Sequence, residues 1–160
     1  MDTFVESCRK SAVDSMEHFL KVFSYVPDDK LDWTPTPTAK SALRIAAHTA
    51  LYAQRFANMI KTRKLPPSEN LEAWLNQRNA EECAITKREE IEPIFRKGTA
   101  EVLAALDSLT PEIIESDLGS GLGWSMPFTF LMKLPTMHTQ VHVGQIDYLQ
   151  TCWDDQEVHF

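Results

Sequence analysis

The chain has 160 residues and a formal net charge of −7, with Lys plus Arg at 16 and Asp plus Glu at 23. That acidic balance argues against a phosphate-backbone binder, which needs a basic footprint, so no nucleic-acid partner is expected. No apolar run approaches the ~20 residues of a membrane span, so no membrane partner is expected either. The length suits a single domain with a core that needs no covalent staples. The odd set Cys8, Cys83 and Cys152, with no CxxC, suits free thiols in a reducing cytoplasm. The opening MDTFVESCRK lacks the basic-then-apolar pattern of a signal peptide.

Residues 2–24 read as a first helix, with Phe4, Val5, Cys8, Ala12, Met16, Phe19, Leu20 and Phe23 recurring at helical steps and Asp2 or Thr3 as the cap. The connector to residue 40 is broken by three prolines and ends that helix. Trp33 stands out in it, as a plug for a core edge or as one wall of a ligand pocket. A second helix follows from Ser41, its cap, to Thr62. His48 lies in its middle, with Arg44 one turn before and Tyr52 one turn after. Residues 63–85 read as irregular, with Pro66-Pro67 closing the helix and Leu71, Trp74 and Leu75 making one or two amphipathic turns after Ser68. A third long helix starts at Thr86, with Thr86 and Glu89 as a capping box. Pro93 falls past the favoured first position, which points to a later start or a kink. Thr110-Pro111-Glu112 opens a short helical turn, and the glycine-rich DLGSGLGWS is a turn or a small hairpin.

The last helix spans Met126 to Trp153 with Ser125 as cap, and Pro135 inside it should bend it near Leu131. Residues 154–160 are expected to form a mobile tail, with Val158 and Phe160 as the apolar groups able to dock. The sum is an all-α four-helix bundle over residues 1–153, with a long crossover connection and a short irregular insertion.

His138 and His142 are four residues apart, so both imidazoles share one helix face. Such a pair is equally compatible with buried, hydrogen-bonded histidines. Three features favour ligation: the apolar segment, where an unpaired imidazole is costly, the proline one turn before, and His48 mid-helix in another apolar segment. His18 and His159 are weaker candidates, one turned away from its helix stripe and one in the tail. Three imidazoles suit Zn, Ni or Fe(II) and leave positions open for water or substrate. HExxH, the Glu-x-x-His of di-iron bundles, GxGxxG, a P-loop and GxSxG are all absent. No residue marks a general base. Arg44, Tyr52 and Gln145 lie within a turn of the histidines and are candidates, with Trp33, for holding substrate.

Two segments together resemble the DinB/YfiT-like superfamily of metal-dependent four-helix-bundle proteins. One is Trp33-Thr34-Pro35, Ser41 and His48. The other is His138-x-x-x-His142-x-Gly144-Gln145-Ile146-x-Tyr148-Leu149. The resemblance implies a divalent metal, nickel or zinc with iron as a further candidate, on His48, His138 and His142. It also implies a small-molecule substrate, a homodimer and an unusual helix order. Some relatives transfer low-molecular-weight thiols such as bacillithiol or mycothiol. A thiol-dependent S-transferase is therefore expected. The alternatives are a metal-dependent hydrolase and a non-catalytic, stress-related metal-binding bundle.

Overall fold

The computed structural model describes residues 3–66, 69–121 and 123–159. Asp2, Pro67, Ser68, Leu122 and Phe160 lie outside the described residues. The elements are α1 (Thr3–Ser24), α2 (Ala42–Thr62), α3 (Leu71–Ala84), α4 (Ile91–Asp107), a single turn α5 (Pro111–Ile114), a hairpin of β1 (Asp117–Gly119) and β2 (Ser125–Pro127), and α6 (Phe128–Thr151).

Four helices make the bundle. Each of α1 and α2 packs on both α4 and α6. Side-chain pairs give their directions. Arg9 donates to the Leu103 carbonyl, Arg96 holds Glu17, and Arg88 reaches the Phe23 carbonyl, so α1 and α4 run antiparallel. The first half of α2 shares a cluster with Ile91 and Phe95, and its second half with Val102 and Leu106, so α2 and α4 run parallel. By the same test α2 is antiparallel to α6, and α1 is parallel to α6. The parallel pair is closely packed: a Cβ at Gly98 of α4 would meet Ala53 Cβ at 2.8 Å and the Gln54 backbone nitrogen at 2.9 Å.

A parallel neighbour requires the chain to travel back along the bundle between the end of α2 and the start of α4. The return is made by α3. Its residues contact α2 in descending order: Arg78 to Tyr52, then Glu82 to His48. The irregular insertion expected at residues 63–85 is thus mostly a 14-residue helix. Periodicity did not reveal it because its inward face is polar. Glu82 is its one buried residue. Asn70 caps it by accepting from the Ala73 N–H.

Other expectations shift by a few residues. Ser41 caps α2 by accepting from the Arg44 N–H. Glu90, not Glu89, caps the approach to α4, accepting from the N–H groups of Thr86 and Lys87. The helix proper then begins at Ile91, which puts Pro93 in the first turn, where its missing N–H is tolerated. Ser125 does not cap α6: it and Met126 pair in the hairpin, and extended Pro127 precedes the helix. The helix runs continuously through Pro135, whose carbonyl accepts from the Thr139 hydroxyl at 2.8 Å. His159 does not hang free: it is buried, stacked on Tyr25 at 4.0 Å and paired with Asp155. No helix among the described residues is long and apolar enough to cross a membrane.

Candidate metal centre

The apolar core divides into two clusters, one at each end of the bundle. Between them α2 and α6 face each other with histidines. His48 and His138 approach through their Nε2 atoms at 3.1 Å, and so do His138 and His142. A ligating atom from each of the three lies within 4.8 Å of the other two. An ion with nitrogen ligands at about 2.0–2.1 Å spaces those nitrogens roughly 3.0–3.4 Å apart, so the observed spacing fits a shared cation.

The outer nitrogens explain the aim of the rings. His48 Nδ1 faces Glu82 Oε1 at 2.7 Å, and Lys40 Nζ donates to Glu82 Oε2 at 2.6 Å. A carboxylate can only accept, so the His48 proton sits on Nδ1 and the lone pair on Nε2. His142 Nδ1 faces Gln145 Oε1 at 2.7 Å, with the same consequence. Two lone pairs therefore point at the same spot. Outer partners of this kind fix the tautomer and orientation of metal-binding histidines. Tyr52 backs the third ring, stacked on His138 at 4.6 Å while its hydroxyl accepts from Arg78 at 2.8 Å.

Protonation agrees with this geometry. Burial depresses the affinity of all three imidazoles for a proton; the charge of Lys40 adds to it at each, and a neighbouring imidazole does so at His138 and His142. His138 is pushed down to about 3, first by burial and then by His142 and His48. Burial alone would raise the Glu82 carboxyl, but hydrogen bonds from His48 and Lys40 outweigh it and hold it at about 2. At neutral pH the cluster is three neutral imidazoles backed by one carboxylate. That is a competent ligand set for a divalent cation.

A family model for the DinB superfamily matches residues 13–146. The chain belongs to the DinB superfamily. Among solved structures, a DinB-like protein from Bacillus subtilis matches this DinB-superfamily chain with a TM-score of 0.67 at 18% identity, covering 96% of each chain. A mycothiol-dependent maleylpyruvate isomerase matches with a TM-score of 0.68 at 14% identity, over 91% of this chain and 63% of its own. At these identities the likeness is one of fold. A search of curated proteins gave no match.

The structure brings His48, His138, His142, Tyr52 and Gln145 together. The other two residues expected to hold substrate are Trp33 and Arg44. Trp33 packs against the core, its ring edge-on to Trp153 at 5.7 Å. Arg44 is half-buried with Nη1 shut off from any partner among the described residues. Sequence reading passed over Glu82, Lys40 and Arg78. The available signal was Arg78 and Glu82 at helical i, i+4 spacing. A groove of about 420 Å³, lined by Pro35, Lys40, Gly144, Gln145 and Tyr148 among others, opens beside the cluster. Its Lys40 and Gln145 are the groups that touch the outer faces of His48 and His142.

Proposed function

We propose that this DinB-superfamily chain is a metal-dependent enzyme acting on a small molecule, most simply a thiol-dependent S-transferase. The observation that carries the reading is the convergence of three neutral imidazoles, two of them with their outer nitrogens pinned by Glu82 and Gln145. Among the described residues no fourth His, Cys, Asp or Glu joins the set. Three protein ligands are the arrangement that leaves room for a reacting group. A divalent ion held there, nickel or zinc by the family resemblance, would supply a Lewis acid that lowers the pKa of a thiol or a water.

The chain's own residues do the rest. Glu82 and Gln145 hold two ligands in the binding tautomer. Lys40 neutralises Glu82 and offers a cation at the groove. The choice of a thiol over water is supported by a structural neighbour, the mycothiol-dependent maleylpyruvate isomerase, although that protein shares only the fold.

Metal analysis of the purified protein and of His138→Ala tests the centre: about one ion per chain is expected in the first and loss of most of it in the second. Equal metal in both, or none in either, removes the reading. A panel of electrophiles assayed with and without low-molecular-weight thiols tests the reaction class. Turnover that needs no thiol replaces transfer with hydrolysis.

A further inference from the structure

Lys40 ends the connector before α2, and the backbone around it is fixed. The Ala39 N–H donates to the Thr36 carbonyl at 3.1 Å, Ser41 caps the helix, and the Leu43 N–H donates back to the Leu31 carbonyl at 3.0 Å. The side chain runs to the outer edge of His48, where Nζ donates to Glu82 Oε2 at 2.6 Å. Nζ also lies 3.4 Å from His48 Nδ1, but that nitrogen carries the proton donated to Glu82 and has no lone pair to offer. An ammonium group has three N–H donors. Among the described residues only Glu82 accepts from this one, and the side chain is 39% exposed and lines the groove.

Gln145 offers a second donor from α6. Its Oε1 accepts from His142 Nδ1, which leaves its amide N–H groups for the groove that it lines. The groove thus holds two donor groups, one of them charged, and no acidic side chain lines it among the described residues. Its other walls are largely apolar, Pro35, Ile45, Leu149 and the ring of Tyr148 among them. At about 420 Å³ it has the size of a small-molecule site. Glu82 does not compete for a ligand there, because its carboxylate is buried behind Lys40 and already holds its partners. A charged and a neutral donor beside apolar walls match a carboxylate on a short apolar body, whereas a cation would meet the ammonium with like charge.

We propose that Lys40 selects the substrate by holding its carboxylate in this groove, with Gln145 as the second donor; this rests on the functional reading of the histidine cluster given above. Lys40 lies behind the ring of His48 and Gln145 behind that of His142, so an anion anchored between them stays beside the centre. Lys40 then has two tasks, steadying Glu82 on one side and reading the charge of the substrate on the other. As a point charge on a flexible stem it sets the charge of the ligand, and the apolar walls set its shape.

Amide chemical shifts of the isotope-labelled full chain, followed as phenylacetate or its neutral analogue phenylacetamide is added, test the inference. Metal-free protein decides it, because a bound ion would attract a carboxylate on its own. Phenylacetate should bind about 10-fold more tightly than phenylacetamide, the least expected of a hydrogen bond to a charged group, and should shift the amides of Gly144 and Gln145. Lys40→Met should abolish the preference while phenylacetamide still binds, and Lys40→Arg should keep it to within about 3-fold, since the charge remains. Equal affinity for the two probes, a preference that survives Lys40→Met, or shifts confined to residues away from the groove overturns the inference. Metal analysis of the same samples keeps the two readings apart: a chain that takes up no metal loses the functional reading, while the preference of the metal-free protein still decides the anion site.

Discussion

The helices α3 and α4 differ in what holds them. Both follow α2 and both pack on it. The inward face of α4 is apolar, with Ile91, Phe95, Val102, Ala105 and Leu106 buried. α3 buries Glu82 alone, and is tied down by polar contacts: Arg55 to Glu81 at 2.5 Å, Arg78 to Tyr52 at 2.8 Å, and Lys40 and His48 to Glu82. One helix supplies cohesion and the other supplies aim. A helix attached by apolar area contributes stability in proportion to that area. A helix attached by exposed ion pairs contributes little, but can set the direction of one ring.

The contrast breaks most sharply at Leu106. Leu106→Ala should cost about 2–5 kcal/mol of stability in urea unfolding, with metal content unchanged while the protein is folded. Glu82→Ala should do the reverse. Metal affinity, read by chelator competition, should fall about 10- to 100-fold with much of the fold intact, and Glu82→Gln should recover part of it because its amide oxygen still accepts from His48.

Acid sharpens the same division. His138 is depressed when folded, so its contribution is complete above its ordinary value and is lost as pH falls toward about 3. Glu82 is likewise depressed, so its share survives to lower pH and is lost toward about 2. A pH series of melts on metal-free protein should show a decline beginning below about pH 6.5 from the histidines. Below about pH 4.5 Glu82 adds to the slope that His138 still contributes, and only that added part should be missing in Glu82→Gln. The smallest effect belongs to the half-exposed pair: Glu81→Ala should cost under about 1 kcal/mol, less at high salt. Hydrogen exchange should nonetheless find α3 amides opening before those of α4, which would reverse if polar ties were the stronger attachment.

These two helices also mark what the sequence could reveal. The stripe of α4 and the Ser41 cap of α2 were legible because burial of apolar groups imposes a period and an N-cap needs one of a few residue types. The three histidines were legible because imidazoles in apolar segments need a reason. Glu82 was not, since a charged residue in a charged segment resembles a solvated one until the topology carries it to His48. Nor was the start of α6: Ser125 has the right side chain for a cap, but its backbone is already used by the hairpin. Trp33 shows the other limit, since one composition served two readings; its packing against the core and Trp153 accords with the first.

The contact between His48 and His138 joins residues 90 positions apart, with α3 and α4 lying in the span between them. Any link there, whether a hydrogen bond or an ion, closes a long loop. Such closure costs little more at equilibrium than a shorter one, because the entropy rises only with the logarithm of loop length. In time it is different. Contacts between distant residues must offset their closure entropy before they are rewarded, so the histidine cluster slows folding more than a local contact would. Synthesis adds an order of its own, since His48 and Glu82 emerge well before the helix that carries His138 and His142. The amino-terminal half thus carries one imidazole and its carboxylate partner, and the other two arrive only with α6.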